Sequence, residues 1–277
     1  MVGAATTQIV QMTVRPPAQA GRFYPGDPGA LARQIAGFLA AVERPAAEVS
    51  PAEAPKAIIA PHAGTIYSGP IAASAYARLA PRRDVIRRVV LLGPSHRVYL
   101  EGLAVPSVDS FRTPLGDIPI DRAACDAVAA LPGVVTDDEP HRLEHSLEVH
   151  LPFLQRVLGD FALVPIVVGR ASATLVDRVL EALWGGEETV VVISSDLSHF
   201  HVYATARRID RETSALIEAL DHRHLDGERA CGVYPVSGLL HLAQRRGLRA
   251  ECIDLRNSGD TAGDPDRVVG YGAYVLH

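Results

Sequence analysis

Cysteine is scarce in this chain: Cys125, Cys231 and Cys252 are the three in 277 residues, far apart and in no CxxC pair. That excludes a disulfide framework and a zinc-ribbon pattern, and it suits a reducing compartment. No apolar run reaches the roughly 18–20 residues that a membrane-spanning helix needs. The opening MVGAATTQIVQMTV lacks the basic start and continuous apolar block of a signal peptide. A cytoplasmic protein with no membrane partner is the expectation. Positive charge is not in excess either. Lys and Arg number 27 against 32 Asp and Glu, a formal net charge of −5. No overall basic field is offered to nucleic acid, so no nucleic-acid partner is expected. Arg82-Arg83 and Arg245-Arg246 read as solvated helix faces or ends. No internal repeat occurs, and nothing in the sequence sets an oligomeric state.

What is present suits a globular α/β protein with a substantial core: 48% of residues are hydrophobic and 21% charged. Short, continuous apolar runs predict strands covered on both faces at KAIIA (56–60), RVVLLG (88–93), LAVPSV (103–108), FALVPIVVG (161–169), TVVVISS (189–195), RAECIDL (249–255) and GYGAYVLH (270–277). Helical spacing occupies 28–42, 68–80, 122–131, 146–158, 172–184, 206–220 and 236–246. The alternation predicts a layered single α/β domain over 17–277, a mixed sheet with a parallel core flanked by helices. Parallel pairing is expected between the first two strand–helix units, and antiparallel pairing at the close of the chain. Residues 1–16 read as a flexible leader ending at Pro16-Pro17, and 43–55, rich in Pro, Ala and Glu, as a surface connection.

Three of the predicted strands run into a histidine. KAIIA is followed by Pro61-His62, RVVLLG by Pro94-Ser95-His96, and TVVVISS by Asp196 with His199 three residues on. In open α/β sheets ligands bind beyond the carboxyl ends of the strands, so neighbouring strands would bring all four residues to one rim. Pro61 and Pro94 fix the angle at which the chain leaves the sheet, and a stiffly held imidazole suits a metal ligand or a general base. Taken singly, each histidine also reads as a hydrogen-bonded strand-end residue, and Asp196 as a helix N-cap. Ser95 beside His96 is no serine hydrolase signal, because the GxSxG elbow is absent.

A second cluster lies in EPHRLEHSLEVHLPFL (139–154). His141 and His145 with Glu144 match HxxEH, the inverted zinc-peptidase pattern, although Pro140 and Pro152 leave room for only about three helical turns. On a helix His145 and Glu148 share one face, which would present them to the rim as supporting groups or proton carriers, or simply to solvent.

APHAG, LLGPSH, SVDSFRTPLGDIPID (107–121), EHSLEVHLP and VVISSDLSHF, with AGRFYPGDP near the start, occur in the order seen in the Memo family. The chain resembles that family, which includes the AmmeMemoRadiSam system protein B group and is similar in fold to the class III extradiol dioxygenases. The resemblance implies a metal site with His62 and His96 as ligands. It also directs attention to Cys231 in ACGVYPVSGLL as a ligand or redox-active thiol, and to Asp196 and His199 in the same pocket. Tyr234 stands where the family often has histidine. Two histidines and a thiolate suit Fe(II), Cu(I) or Zn(II), with iron favoured; a carboxylate from Asp196 or Glu148 would restore a facial triad. Two functions remain open. One is a dioxygenase-like redox enzyme acting on a small phenolic or peptidic ligand, with His199 or His145 as acid or base; the other is a non-catalytic module that sequesters metal or holds a peptide.

Overall fold

In the computed structural model, which describes residues 12–42, 50 and 53–277, strands and helices alternate along the chain. The strands are β1 (Val14–Arg15), β2 (Ala57–Ala60), β3 (Arg88–Pro94), β4 (Leu103–Val105), β5 (Ser110–Thr113), β6 (Gly116–Pro119), β7 (Val134–Thr136), β8 (Ala162–Val168), β9 (Thr189–Ser194), β10 (His199–His201), β11 (Ala250–Asn257) and β12 (Val268–Leu276). The helices are α1 (Pro28–Ala40), α2 (Thr65–Ala77), α3 (Arg122–Ala129), α4 (Glu139–Arg142), α5 (Leu151–Val157), α6 (Ala173–Leu183), α7 (Tyr203–Glu218) and α8 (Val233–Arg246). Their ends carry ordinary signals. Asp27 caps α1 ahead of Pro28, Ser172 caps α6, and Gly247 closes α8 in the left-handed conformation.

A mixed sheet runs in the order β10-β12-β2-β9-β3-β8-β4-β7, with β11 also paired to β12. At its centre β2, β9, β3 and β8 are parallel. Every residue of β2 and β9 is buried, as expected for strands covered by helices on both faces. β12 runs antiparallel to β2 and β11, the direction expected at the close of the chain. The first two predicted strands, β2 and β3, are parallel but not adjacent, because β9 lies between them. That insertion puts the ends of β2, β9 and β3 side by side on one edge.

A small second sheet, β1-β5-β6, was not legible in the sequence. It overturns part of the expected leader: ordered structure begins before Pro16, since Val14 and Arg15 pair with Ser110 and Phe111. Residues 1–11 and most of the expected connection at 43–55 lie outside the described residues. Arg15 is buried because it is fully engaged. Its Nη1 donates to Glu148 Oε2 at 2.7 Å, Nε to the His141 carbonyl at 2.6 Å and Nη2 to the Glu144 carbonyl at 2.8 Å. Glu148 also accepts from the Ala18 and Gln19 amides and, at 2.5 Å, from the Tyr24 hydroxyl.

Glu148 therefore anchors the start of the fold. The helical face expected to carry His145 and Glu148 together does not form. α4 stops at Arg142, residues 143–147 turn, and a 3-10 turn covers Glu148–His150. Pro140 and Pro152 break the segment into pieces too short for a continuous helix. Removing one partner of a buried ion pair strands the other charge, so Glu148→Ala is expected to cost about 3–5 kcal/mol in urea unfolding. A loss of less than about 1 kcal/mol would contradict this anchoring role.

Candidate metal centre

His62 leaves β2 and His96 leaves β3, with the end of β9 between them. Adjacent strands are about 4.8 Å apart, so two strands' separation is roughly 9–10 Å. The two imidazoles close that gap to 5.1 Å between ring centroids by leaning over the end of β9. His145 joins them from the turn after α4, 5.3 Å from His62 and stacked on His96 at 4.5 Å. One nitrogen from each of His62, His96 and His145 lies within 4.8 Å of the others. Three nitrogens bound to one ion at about 2.1 Å lie about 3.4–3.6 Å apart, so the rings must close by up to about 1.2 Å to complete a grip.

Hydrogen bonding sets which nitrogen each ring offers. Ser194, the last residue of β9, donates its hydroxyl to the Ser146 carbonyl at 2.6 Å. Its oxygen therefore accepts from His62 Nδ1, 2.5 Å away, which leaves His62 Nε2 as the unprotonated nitrogen, with the Cys231 thiol 3.4 Å from it. Glu144, a carboxylate acceptor, takes the His96 Nδ1 proton at 2.9 Å and the His96 amide at 2.7 Å. His96 Nε2 is left unprotonated in the same way. A ligating imidazole is commonly oriented by such a partner on its other nitrogen. Glu144 also accepts from the His145 and Ser146 amides. His145 Nδ1 lies 3.1 Å from the same carboxylate but too poorly aligned to count as a hydrogen bond.

The turn carrying His145 is sewn across the strand ends. Ser146 Oγ donates to the Pro94 carbonyl at 2.8 Å. The approach is tight enough that a Cβ at Gly93 would lie 2.8 Å from Ser146 Oγ and 2.9 Å from Leu147 Cδ2. Gly232 permits a second close approach, since a Cβ there would sit 2.5 Å from the Ser194 carbonyl. This brings Cys231 Sγ to 3.4 Å from His62 Nε2 and lets it accept from the Asp196 amide.

The electrostatics suit a cation. Burial, and then the neighbouring His96, His145 and His150, hold His62 well below the usual imidazole range, so it is neutral at pH 7, as a ligand must be. Burial opposes ionisation of Glu144, but the adjacent His145 and His96 imidazoles and the Ser146 amide outweigh it and hold the carboxyl far below its ordinary value. Burial and the Asp196 carboxylate push the Cys231 thiol far up, so a nearby cation is what would draw off its proton. Burial also raises Asp196, partly offset by the nearby His199 imidazole and the His62 amide.

The sequence-predicted residues thus divide. His62, His96, Asp196, Cys231 and His145 meet at one edge. His145, expected as an acid or base, stands in the imidazole cluster; Cys231, expected as a ligand, stands against His62. His199 is half-buried on β10, close enough to act on Asp196 and Asp210. Glu148 is elsewhere. HxxEH does not form a zinc pair either: His141 Nε2 is spent on the Ala104 carbonyl at 3.0 Å and its ring lies edge-on to Phe111. Ser194, Ser146 and Glu144 were missed as organising residues. The only signal was a hydroxyl at the end of an apolar strand and an acid directly before His145.

Comparison with known proteins fits this geometry. The family model described as Memo-like protein matches residues 15–275. The chain belongs to the Memo family. MEMO1 family proteins of Methanopyrus kandleri and Aquifex aeolicus are each 36% identical to it, covering 95% and 94% of this chain and 98% of each relative. A solved structure of an uncharacterized Escherichia coli K12 protein shares the mixed α/β fold. Its TM-score is 0.50 at 15% identity, covering 79% of this chain and 98% of that one. Among the described residues no helix is long and apolar enough to cross a membrane.

Two measurements check this description. Ser194→Ala removes the acceptor that sets the His62 tautomer and is expected to weaken metal binding about 10–100-fold in competition with a chelator, with little change in fold. Buried His141, pushed down to about 3 mainly by burial and next by Arg15, stays neutral in the folded protein while the unfolded chain protonates near 6.5. Stability is then full above that value and is lost as pH falls toward 3. The unfolded state binds the extra proton in this window, so His141 should cost about 2 kcal/mol between pH 7 and pH 5. In His141→Gln the drop in unfolding free energy over that interval should shrink by about this amount.

Proposed function

We propose that this Memo-family protein holds a redox-active metal ion, iron in preference to copper or zinc, on the imidazoles of His62, His96 and His145, and uses it in dioxygenase-like oxidation of a small ligand. The observation that carries the reading is the pair of set tautomers: His62 and His96 each have Nδ1 engaged, which leaves Nε2 unprotonated, and one nitrogen of each lies within 4.8 Å of one from His145. Borderline imidazole donors suit iron, copper and zinc, and an open face is what separates a reactive centre from a closed structural one. His96 supplies that open face, its side chain being 28% exposed while His62 is buried.

Bound there, the ion would supply redox and Lewis-acid chemistry. The protein's own groups have separable tasks. Ser194 and Glu144 hold the rings in register. Asp196, whose carboxyl is raised by burial and whose Oδ1 accepts from the His62 amide at 2.7 Å, is placed to hold a proton beside the centre. His199 acts on Asp196 from β10 and is the natural exchange partner with solvent. Cys231 is a reserve donor that becomes a thiolate beside a cation.

One observation favours metal sequestration as a second reading. Asp196 Oδ2 lies 3.9 Å from His62 Nε2 and Cys231 Sγ 3.4 Å from it, so a rearrangement that brought both onto the ion would close it off from ligands.

Anaerobic purification with metal analysis, followed by oxygen uptake against a catechol panel, tests the proposal. About one bound iron per chain, lost in His62→Ala/His96→Ala, with uptake for at least one compound, is the expected outcome. Bound iron without uptake for any compound would leave sequestration. Equal metal content in wild type and double variant would remove both readings.

A further inference from the structure

A hollow of about 250 Å³ opens beside the imidazole cluster, between the carboxyl ends of β3 and β8. Its lining includes Ser95, Val98, Tyr99, Arg170, Cys231 and Tyr234. This is the kind of crevice, beyond the strand ends of an open α/β sheet, where ligands bind. Its volume falls just under the range usual for drug-sized ligands, which suits a small molecule. The lining changes along its depth. Cys231, half-buried and in contact with His62, belongs to the inner end; Arg170 and Tyr99, both exposed, belong to the outer end.

The chemistry of the lining is selective. Tyr99 is 78% exposed and Tyr234 38% exposed, so two large aromatic side chains are left open at one small hollow, which suits a ligand with a ring. Ser95 has already committed its hydroxyl to the Val98 carbonyl, so it is a poor donor for a ligand. Arg170 is the lining's permanently charged group, and its guanidinium reaches the Tyr99 phenol. A guanidinium fork matches a carboxylate through two parallel hydrogen bonds and repels a cation. Glu101, which accepts from the Tyr99 hydroxyl, does not line the hollow.

We propose that this hollow is the substrate pocket of the metal centre, and that Arg170, Tyr99 and Tyr234 select a small aromatic carboxylate, its acid group on Arg170, its ring against the tyrosines and its far end toward Cys231 and His62. The assignment of the pocket to substrate rests on the proposed metal function; the ligand class rests on the lining alone.

Three isosteric probes separate the possibilities: benzoate, benzamide and benzamidine, titrated calorimetrically into metal-free and iron-loaded protein. Benzoate should bind at least about tenfold more tightly than benzamide, and benzamidine more weakly than either. Arg170→Ala should weaken benzoate at least about tenfold and leave benzamide within about twofold, while Tyr99→Ala should weaken both alike. Both positions are exposed, so neither change threatens the fold. Equal affinity for benzoate and benzamide, or benzoate binding indifferent to Arg170→Ala, would overturn the proposal. So would benzoate binding that vanishes with the metal while ignoring Arg170, because the ion would then be the receptor. Metal content measured on the same samples keeps the two ideas apart. Arg170-dependent benzoate binding in a protein that takes up no iron sustains the ligand class and removes the metal function. Iron uptake without selectivity for benzoate removes the pocket alone.

Discussion

The hydroxyl of Ser194 joins the sheet to the turn that completes its edge. It sits at the last position of β9, between β2 and β3, donating to Ser146 and accepting from His62. A single hydroxyl thereby fixes the His62 tautomer and ties down the turn that delivers His145. Glu144, one residue before that histidine, does the same for His96. A net hydrogen bond is worth only about 1 kcal/mol in stability, but an imidazole held in the wrong tautomer presents a proton where a lone pair is needed. Orientation, more than binding energy, is what these bonds contribute.

The rest of the molecule supports that clasp. Buried, continuous apolar strands bring three chain segments to one edge at fixed spacing, and Gly93 and Gly232 let the His145 turn and the Cys231 segment come closer than any side chain would allow. Arg15 reaches from the N-terminal strand to hold the carbonyls of His141 and Glu144 while pairing with Glu148. The segment from 141 to 148 is thus gripped from beneath by Arg15 and from above by Ser194. It needs both, because two prolines deny it a long helix of its own.

How much of this was legible follows from where the causes lie. The central strands announce themselves because burial on both faces demands unbroken apolar runs, and the histidines at 62 and 96 follow directly on two of them. Local chemistry sufficed there. β1, β5, β6, β7 and β10 escaped notice because they are two to four residues long and gain their stability from partners distant in sequence. Glu148 was misassigned for a related reason: helical spacing predicts a shared face only if the helix forms, and its four hydrogen-bond partners lie 124–133 residues away in the chain. Cys231 gave no local signal at all and became visible only through the family resemblance. Its place beside His62 depends on Gly232 and the Ser194 carbonyl, a contact no periodicity reports.

The central claim is that three imidazoles from separate segments meet around one ion. X-ray absorption on iron-loaded protein measures this most directly, since multiple scattering counts imidazole rings in the first shell. Three imidazole nitrogens near 2.1 Å are expected. A first shell containing one imidazole or none would contradict the account, whatever activity the protein proves to have.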